Sequence, residues 1–159
     1  MTATNDEQLR TLSHKLQELH AHALDVVREL NPSVNAGTLL DRLVNDPQWA
    51  WLRALTALIA DIDHVLAQKK DLSEGDRAVA GAQARGMLYG EGDLANSEFL
   101  DRYRPLLQMS PALASVHGEV KGLLRSFPTE PVNESERLHA RHTWAMRCKH
   151  QPGPRTGLN

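Results

Sequence analysis

The strongest constraint on the fold is an unbroken series of apolar residues over residues 9–30, spaced alternately three and four positions apart. This spacing places one side chain per turn on a single face of an α-helix, as in a heptad seam. Asn31-Pro32 ends the helix, because proline donates no amide hydrogen bond and restricts the residue before it. The seam consists of Leu9, Leu12, Leu16, Leu19, Ala23, Val26 and Leu30.

Similar periodicity and helix-start signals recur along the chain. Asp46 before Pro47 predicts an N-cap, Ser73 and Asp76 form a capping pattern, and Ser97 is expected to cap a later helix. Aromatic residues make up only 4% of the chain, which favours helices over strands. We therefore predict an all-α fold: an antiparallel bundle of four or five helices over residues 6–128. A basic tail, partly helical or disordered, is expected over residues 129–159, loosely attached and removable after Pro128 without unfolding the bundle.

One helical segment carries a resemblance. Residues 46–63 read D-P-Q-W-A-W-L-R-A-L-T-A-L-I-A-D-I-D, and this run resembles a group of short uncharacterised bacterial helical proteins with the pattern D-P-x-x-A-W-L-R-x-L-x-x-L-I-x-x-I-D. Ser110-Pro111 and the segment 116–120 are also similar to that group. The resemblance extends over roughly residues 9–128, and it implies the helical fold but no activity, cofactor or substrate.

Composition and targeting signals narrow the compartment. The single cysteine, Cys148, excludes an intramolecular disulfide, so a secreted disulfide scaffold is not expected. The first ten residues lack the basic and apolar regions of a signal peptide. No apolar run approaches the roughly 20 residues that span a bilayer. We expect a cytoplasmic protein with no membrane partner.

The sequence assigns no catalytic residue, no cofactor and no metal site. It contains no Walker loop, G-x-G-x-x-G, G-x-S-x-G, H-E-x-x-H or C-x-x-C motif. Residues of metal-ligand type lie outside the seam of the first helix or in the tail, where a solvent-exposed helix face is the simpler interpretation. They are His14, Glu18, His22, His139, His142, Cys148 and His150. A metal-binding or enzymatic bundle stays open as an alternative, and Cys148, flanked by two cations, is expected to have a lowered pKa.

The tail is basic, with five Lys or Arg residues against two Glu over residues 134–159. Cations with a nearby Trp144 are suited to binding phosphates and stacking on a base, so nucleic-acid binding is a second alternative, although the acidic body would repel the same polyanion. The same cations are candidates for contacting a protein partner. The candidate residues are Arg137, Arg141, Arg147 and Lys149.

Trp49 and Trp51 are two positions apart, so both cannot point straight into one core. We expect Trp51 to be buried and Trp49 either to pack at a helix boundary or to be exposed as an anchor for a partner. The leading interpretation is a non-enzymatic interaction or regulatory protein, which binds a protein partner or itself through a helix face. Homodimerisation is expected through the seam of the first helix.

Overall fold

The computed structural model describes residues 4–68 and 71–148, and this part of the chain is helical without a strand. Within it lie seven α-helices, more than the four or five expected. They are α1 (Asn5–Leu30), α2 (Ala36–Asn45), α3 (Ala50–Ala67), α4 (Glu74–Tyr89), α5 (Ser97–Met109), α6 (Pro111–Leu124) and α7 (Glu134–Cys148). A short 3-10 turn, Pro47–Trp49, precedes α3. No helix in these two ranges combines the length and the apolar content needed to cross a membrane.

Local capping chemistry sets the helix starts largely as the sequence predicts. The Asp46 side chain accepts a backbone hydrogen bond at 2.9 Å from the 3-10 turn. Ser73 and Asp76 form a reciprocal capping box, with hydrogen bonds of 3.0 and 2.8 Å. The predicted cap of α5 is wrong by one residue, because Asn96 rather than Ser97 accepts from the first turn. An amide oxygen in extended backbone fills the same role.

The seam of α1 is buried within the chain. From Leu9 to Ala23 its members have no exposed surface, and α3 and α6 are the main neighbours of α1. Leu30, the last member, is more than half exposed. The seam therefore already has its intramolecular partners, and the expectation that a second copy covers it is wrong.

An aromatic series connects α3 to α5 in the core. Trp51 is buried, as predicted, and its ring meets Phe99 edge-on with 5.4 Å between ring centroids. Phe99 in turn stacks on Tyr103 at 5.0 Å. Helix α5 contains Pro105 and continues to Met109. Aromatic pairs in such geometries stabilise the core beyond the apolar area they bury.

The largest departure from the sequence prediction is α7. We expected a loosely attached tail, but α7 packs against α3 and α4, and the Trp144 side chain is only 1% exposed. One tryptophan buries as much apolar area as several smaller residues, so the sparse apolar pattern of this helix understated its burial. Residues 149–159, for which disorder was also expected, lie outside the described residues.

Candidate functional site

A concave, largely apolar surface lies at one end of the molecule, where α1 ends, the 3-10 turn begins and α5 ends. We call it the tryptophan groove. Its volume is about 250 Å³, and it is lined mainly by Val27, Leu30, Trp49, Trp51, Pro105 and Met109. Asp101 and Arg102 supply charge of both signs at the same groove. Apolar walls with a few polar groups are typical of surfaces that bind a ligand or a partner.

Exposed apolar side chains lie in the groove and on the nearby helix α2. Leu30 and Met109 both line it and are more than half exposed. On α2, which packs beside the 3-10 turn, Leu40 is 71% exposed and Val44 is also more than half exposed. These two residues are four positions apart and share one helix face, which we call the α2 strip. Isolated exposed leucines are ordinary, but a ridge and a groove near the same turn form a candidate interface.

Trp49 is not the exposed anchor for a partner that was one of the two alternatives for it. Its side chain is 4% exposed and packs in the core, while part of it lines the tryptophan groove. The Asp46 cap and Pro47 start the 3-10 turn that directs the Trp49 side chain inward. Trp49 is therefore a buried wall of the groove, and the atoms free to contact a partner belong to Leu30 and Met109.

Of the tail cations, Arg141 is held most firmly. Its guanidinium donates to both carboxylate oxygens of Glu130, at 2.8 and 2.7 Å, and to both oxygens of Asp93, at 2.9 and 2.8 Å. These hydrogen bonds lower the pKa of Asp93 to about 2 and raise the pKa of Arg141. Two carboxylates neutralise one guanidinium here, so the group as a whole is anionic and does not attract phosphate.

The other described tail cations also have intramolecular partners. Arg137 donates to the backbone oxygen of Val132 at 3.1 Å. Arg147 donates to the backbone oxygen of Asp71 at 3.1 Å, and its Nη1 lies 3.3 Å from the buried carboxylate of Asp76. That second approach is not aligned as a hydrogen bond, so the attraction is coulombic. Lys149, the remaining candidate, lies outside the described residues.

The expected pKa of Cys148 is contradicted. Burial of the thiol, reinforced by the negative charges of Asp61 and Asp76, raises its pKa to about 12. A thiol with a raised pKa stays protonated near neutral pH and is a poor nucleophile. Across residues 4–68 and 71–148, no three His, Cys, Asp or Glu side chains are grouped closely enough to hold a metal ion.

His117 joins three helices through hydrogen bonds. Its Nδ1 is 2.8 Å from the Tyr103 hydroxyl, and its backbone oxygen accepts from the Tyr89 hydroxyl at 2.7 Å. Burial, followed by the nearby charge of Lys121, lowers the pKa of His117. Burial also raises the pKa values of both tyrosines. The cluster links α4 and α5 to α6 with neutral groups, which suits a structural role.

A second concave surface, the α3–α4 cleft, lies between α3, α4 and the segment that leads into α5. Its volume is also about 250 Å³. Five lining residues are apolar, and the polar ones are Asp61, Gln83 and Asn96. Sequence analysis did not identify it, because these three residues are distant in sequence and belong to no motif.

Comparison with known proteins adds no assignment to these surfaces. The chain matches no protein-family model, no curated protein and no solved structure. The resemblance noted at residues 46–63 therefore stays a prediction.

Proposed function

We propose that this chain is a non-enzymatic interaction protein that self-associates through the tryptophan groove and the α2 strip. The observation that carries the proposal is that one chain exposes both an apolar groove and an apolar helix face beside the same 3-10 turn. The α2 strip of a second copy occupies the groove. The α1 seam is buried within the chain and is not the interface. As a frame for this function we propose an antiparallel helical bundle located in the cytoplasm.

Helix-in-groove binding explains how the two surfaces work together. Leucine and valine four positions apart are the anchors that an amphipathic helix lays into an apolar groove. In a two-fold arrangement the α2 strip of each copy faces the groove of the other, so both surfaces are covered at once. Leu30 and Met109 supply most of the apolar contact area, and the core-held Trp49 and Trp51 form a rigid base beneath them.

Charge at the groove supports a specific register. Asp101 and Arg102 are adjacent and of opposite sign. Asp41 and Arg42 are likewise adjacent in sequence and opposite in charge, and they lie on α2 next to the strip. Opposite charges that face each other across an interface favour one orientation more than they add affinity.

The two alternative functions have weaker support on the described residues. The arginines that suggested nucleic-acid binding have carboxylate or backbone partners, and Trp144 is buried, so it has no free face for a base. His117 and Cys148 lie within packed helices, and burial shifts the pKa of each towards the neutral form. An interaction function needs no such group.

Sedimentation equilibrium of the wild-type chain up to about 500 μM tests self-association, since that range detects a Kd near 100 μM. The wild type is expected to dimerise. Leu40→Glu is expected to weaken the dimer by at least about 10-fold, because burying an unpaired carboxylate is costly and a two-fold dimer carries the change twice. Met109→Glu tests the groove in the same way.

The matched control is Leu138→Glu, which places the same charge at a half-exposed leucine on α7. It is expected to leave the dimer unchanged. A wild type that stays monomeric throughout the range overturns self-association. An equal effect of Leu138→Glu and Leu40→Glu would place the interface elsewhere.

A further inference from the structure

Helix α2 is anchored in the core by the residues that flank it. Val34 before it and Trp49 after it are buried in the apolar core, whereas no side chain over residues 37–48 is buried. Leu39 and Leu43 pack against the core but stay partly exposed. Among the described elements, only α3 and the 3-10 turn contact α2. A helix of 10 residues is marginal by itself in water, so α2 depends on these contacts.

Arg53 on α3 holds the carboxyl end of α2. Its Nη1 donates hydrogen bonds to the backbone oxygens of Leu43 and Val44, at 3.2 and 2.5 Å. The backbone oxygens of the last helical turn have no amide partner within the helix, so a side-chain donor satisfies them. A positive charge is also favourable at this end of the helix dipole. Both hydrogen bonds that the structure describes between α2 and α3 therefore come from one side chain.

The same hydrogen bonds fix the α2 strip relative to the tryptophan groove. Val44 is one of the two residues of the strip, and its backbone oxygen accepts the shorter of the two bonds. Trp51, two positions before Arg53 on α3, forms part of the groove. One helix thus carries a wall of the groove and the side chain that holds the strip, so the distance between strip and groove is set within each chain.

We propose that the docking of α2 controls self-association, and that Arg53 is the positioning residue that keeps α2 docked. This inference rests on the proposed self-association through the groove and the strip. In a two-fold dimer both strips must meet both grooves in register, so only chains with α2 docked can pair. Each chain enters the dimer with its docked fraction, and the apparent Kd rises as the inverse square of that fraction.

The first test is amide hydrogen exchange, followed by NMR, on the full chain carrying Met109→Glu, which blocks the groove and leaves α2 unaltered. Arg53→Glu is then added. The new carboxylate donates no hydrogen bond and is repelled by the backbone oxygens of α2, so the amides of α2 are expected to exchange at least about 10-fold faster. The amides of α1 and α6 are expected to keep their rates. Unchanged exchange in α2, or equal acceleration in all three helices, would overturn the role of Arg53.

The second test is sedimentation equilibrium of the Arg53→Glu chain with Met109 intact, in about 0.5 M NaCl, which screens long-range charge effects. The dimer Kd is expected to rise by about 5-fold, because a docked fraction that falls from about nine-tenths to about four-tenths enters as its square. Arg53→Lys keeps a cationic donor at the same position and is expected to stay within about 2-fold of the wild type. A Kd for Arg53→Lys as high as that for Arg53→Glu would contradict the hydrogen bonds as the cause.

Arg10→Glu serves as the control, since it makes the same change at an exposed residue of α1, about 25 Å along that helix from Val27 of the groove. It is expected to leave both the Kd and the exchange of α2 unchanged, and an effect equal to that of Arg53→Glu would refute the role of Arg53. Faster exchange in α2 with an unchanged dimer Kd would refute control by docking while self-association stands. A wild type that stays monomeric would overturn the self-association and this inference together.

Discussion

Replacing Trp144 with alanine tests whether α7 belongs to the core. The side chain is 1% exposed and packs in the same apolar cluster as α3 and α4. Its indole nitrogen has no hydrogen-bond partner among the described residues, so the substitution removes apolar packing rather than a hydrogen bond seen there. Truncation of a buried tryptophan to alanine costs about 3–5 kcal/mol in the free energy of unfolding. For a chain of this length that corresponds to a Tm lower by roughly 6–20 °C.

The measurement is a urea titration followed by far-UV circular dichroism. Leu138→Ala is the control, because Leu138 lies on the same helix but is 53% exposed. Its cost is expected to stay within about 0.5 kcal/mol. A loss of less than about 1 kcal/mol for Trp144→Ala would refute the burial of α7 in the core.

The cost of Trp144→Ala has an upper limit if α7 detaches as a unit. Once the helix is undocked, further weakening of its contacts costs nothing, so the loss cannot exceed the free energy of docking α7. Truncation after Pro128 measures that docking free energy directly. We now expect the truncated chain to be destabilised by at least as much as Trp144→Ala, in contrast to the removable tail expected from the sequence.

Two further predictions follow from single contacts. Arg141 lowers the pKa of Asp93 from 3.8 to about 2, so the stabilisation of the fold by this ion pair is complete above pH 3.8 and is lost as the pH falls towards 2. Asp93→Asn should therefore flatten the acid limb of a curve of Tm against pH between these values. An unchanged limb would contradict the pairing. Gly86→Ala should lower the free energy of unfolding by about 1–3 kcal/mol, because its Cβ would collide with the backbone of Leu94. Gly118 lies in a helix with no atom near an added Cβ, so Gly118→Ala should raise the free energy of unfolding by about 0.5–1 kcal/mol. Equal effects of the two substitutions would contradict the close approach at residue 86.

Sequence predicted best where the physics is local. The Asp46 cap and the Ser73–Asp76 box depend on residues two or three positions apart, and both are present. The burial of the α1 seam also follows from spacing alone. The spacing does not predict what covers the seam. Apolar periodicity shows which face is buried, but not whether α3, α6 or a second chain packs on it.

Contacts between distant segments account for what sequence missed. The firm attachment of α7 depends on one tryptophan and on an arginine that meets Asp93, 48 residues earlier. Neither produces a periodic signal. The tryptophan groove and the α3–α4 cleft are likewise formed by the ends and sides of several helices, and their polar members, such as Gln83, have no motif around them.

The arginines of α7 show how packing changes the interpretation of a charge pattern. The count of charged residues makes the tail basic, which suits a polyanion. Phosphate binding, however, needs cations that are free to exchange water and counterions for phosphate oxygens. To bind phosphate, Arg141 would have to leave four charge-assisted hydrogen bonds, and departure of Arg147 would leave Asp76 as a buried charge without its cation. Leaving a buried carboxylate such as Asp76 without its cation costs several kcal/mol, more than one phosphate contact in water returns. Arg147 meets Asp76 on α4, and Arg141 meets Asp93 in the segment between α4 and α5, so the arginines that weaken nucleic-acid binding also attach α7 to the bundle. The arginines of α7 are therefore better explained by docking than by recognition.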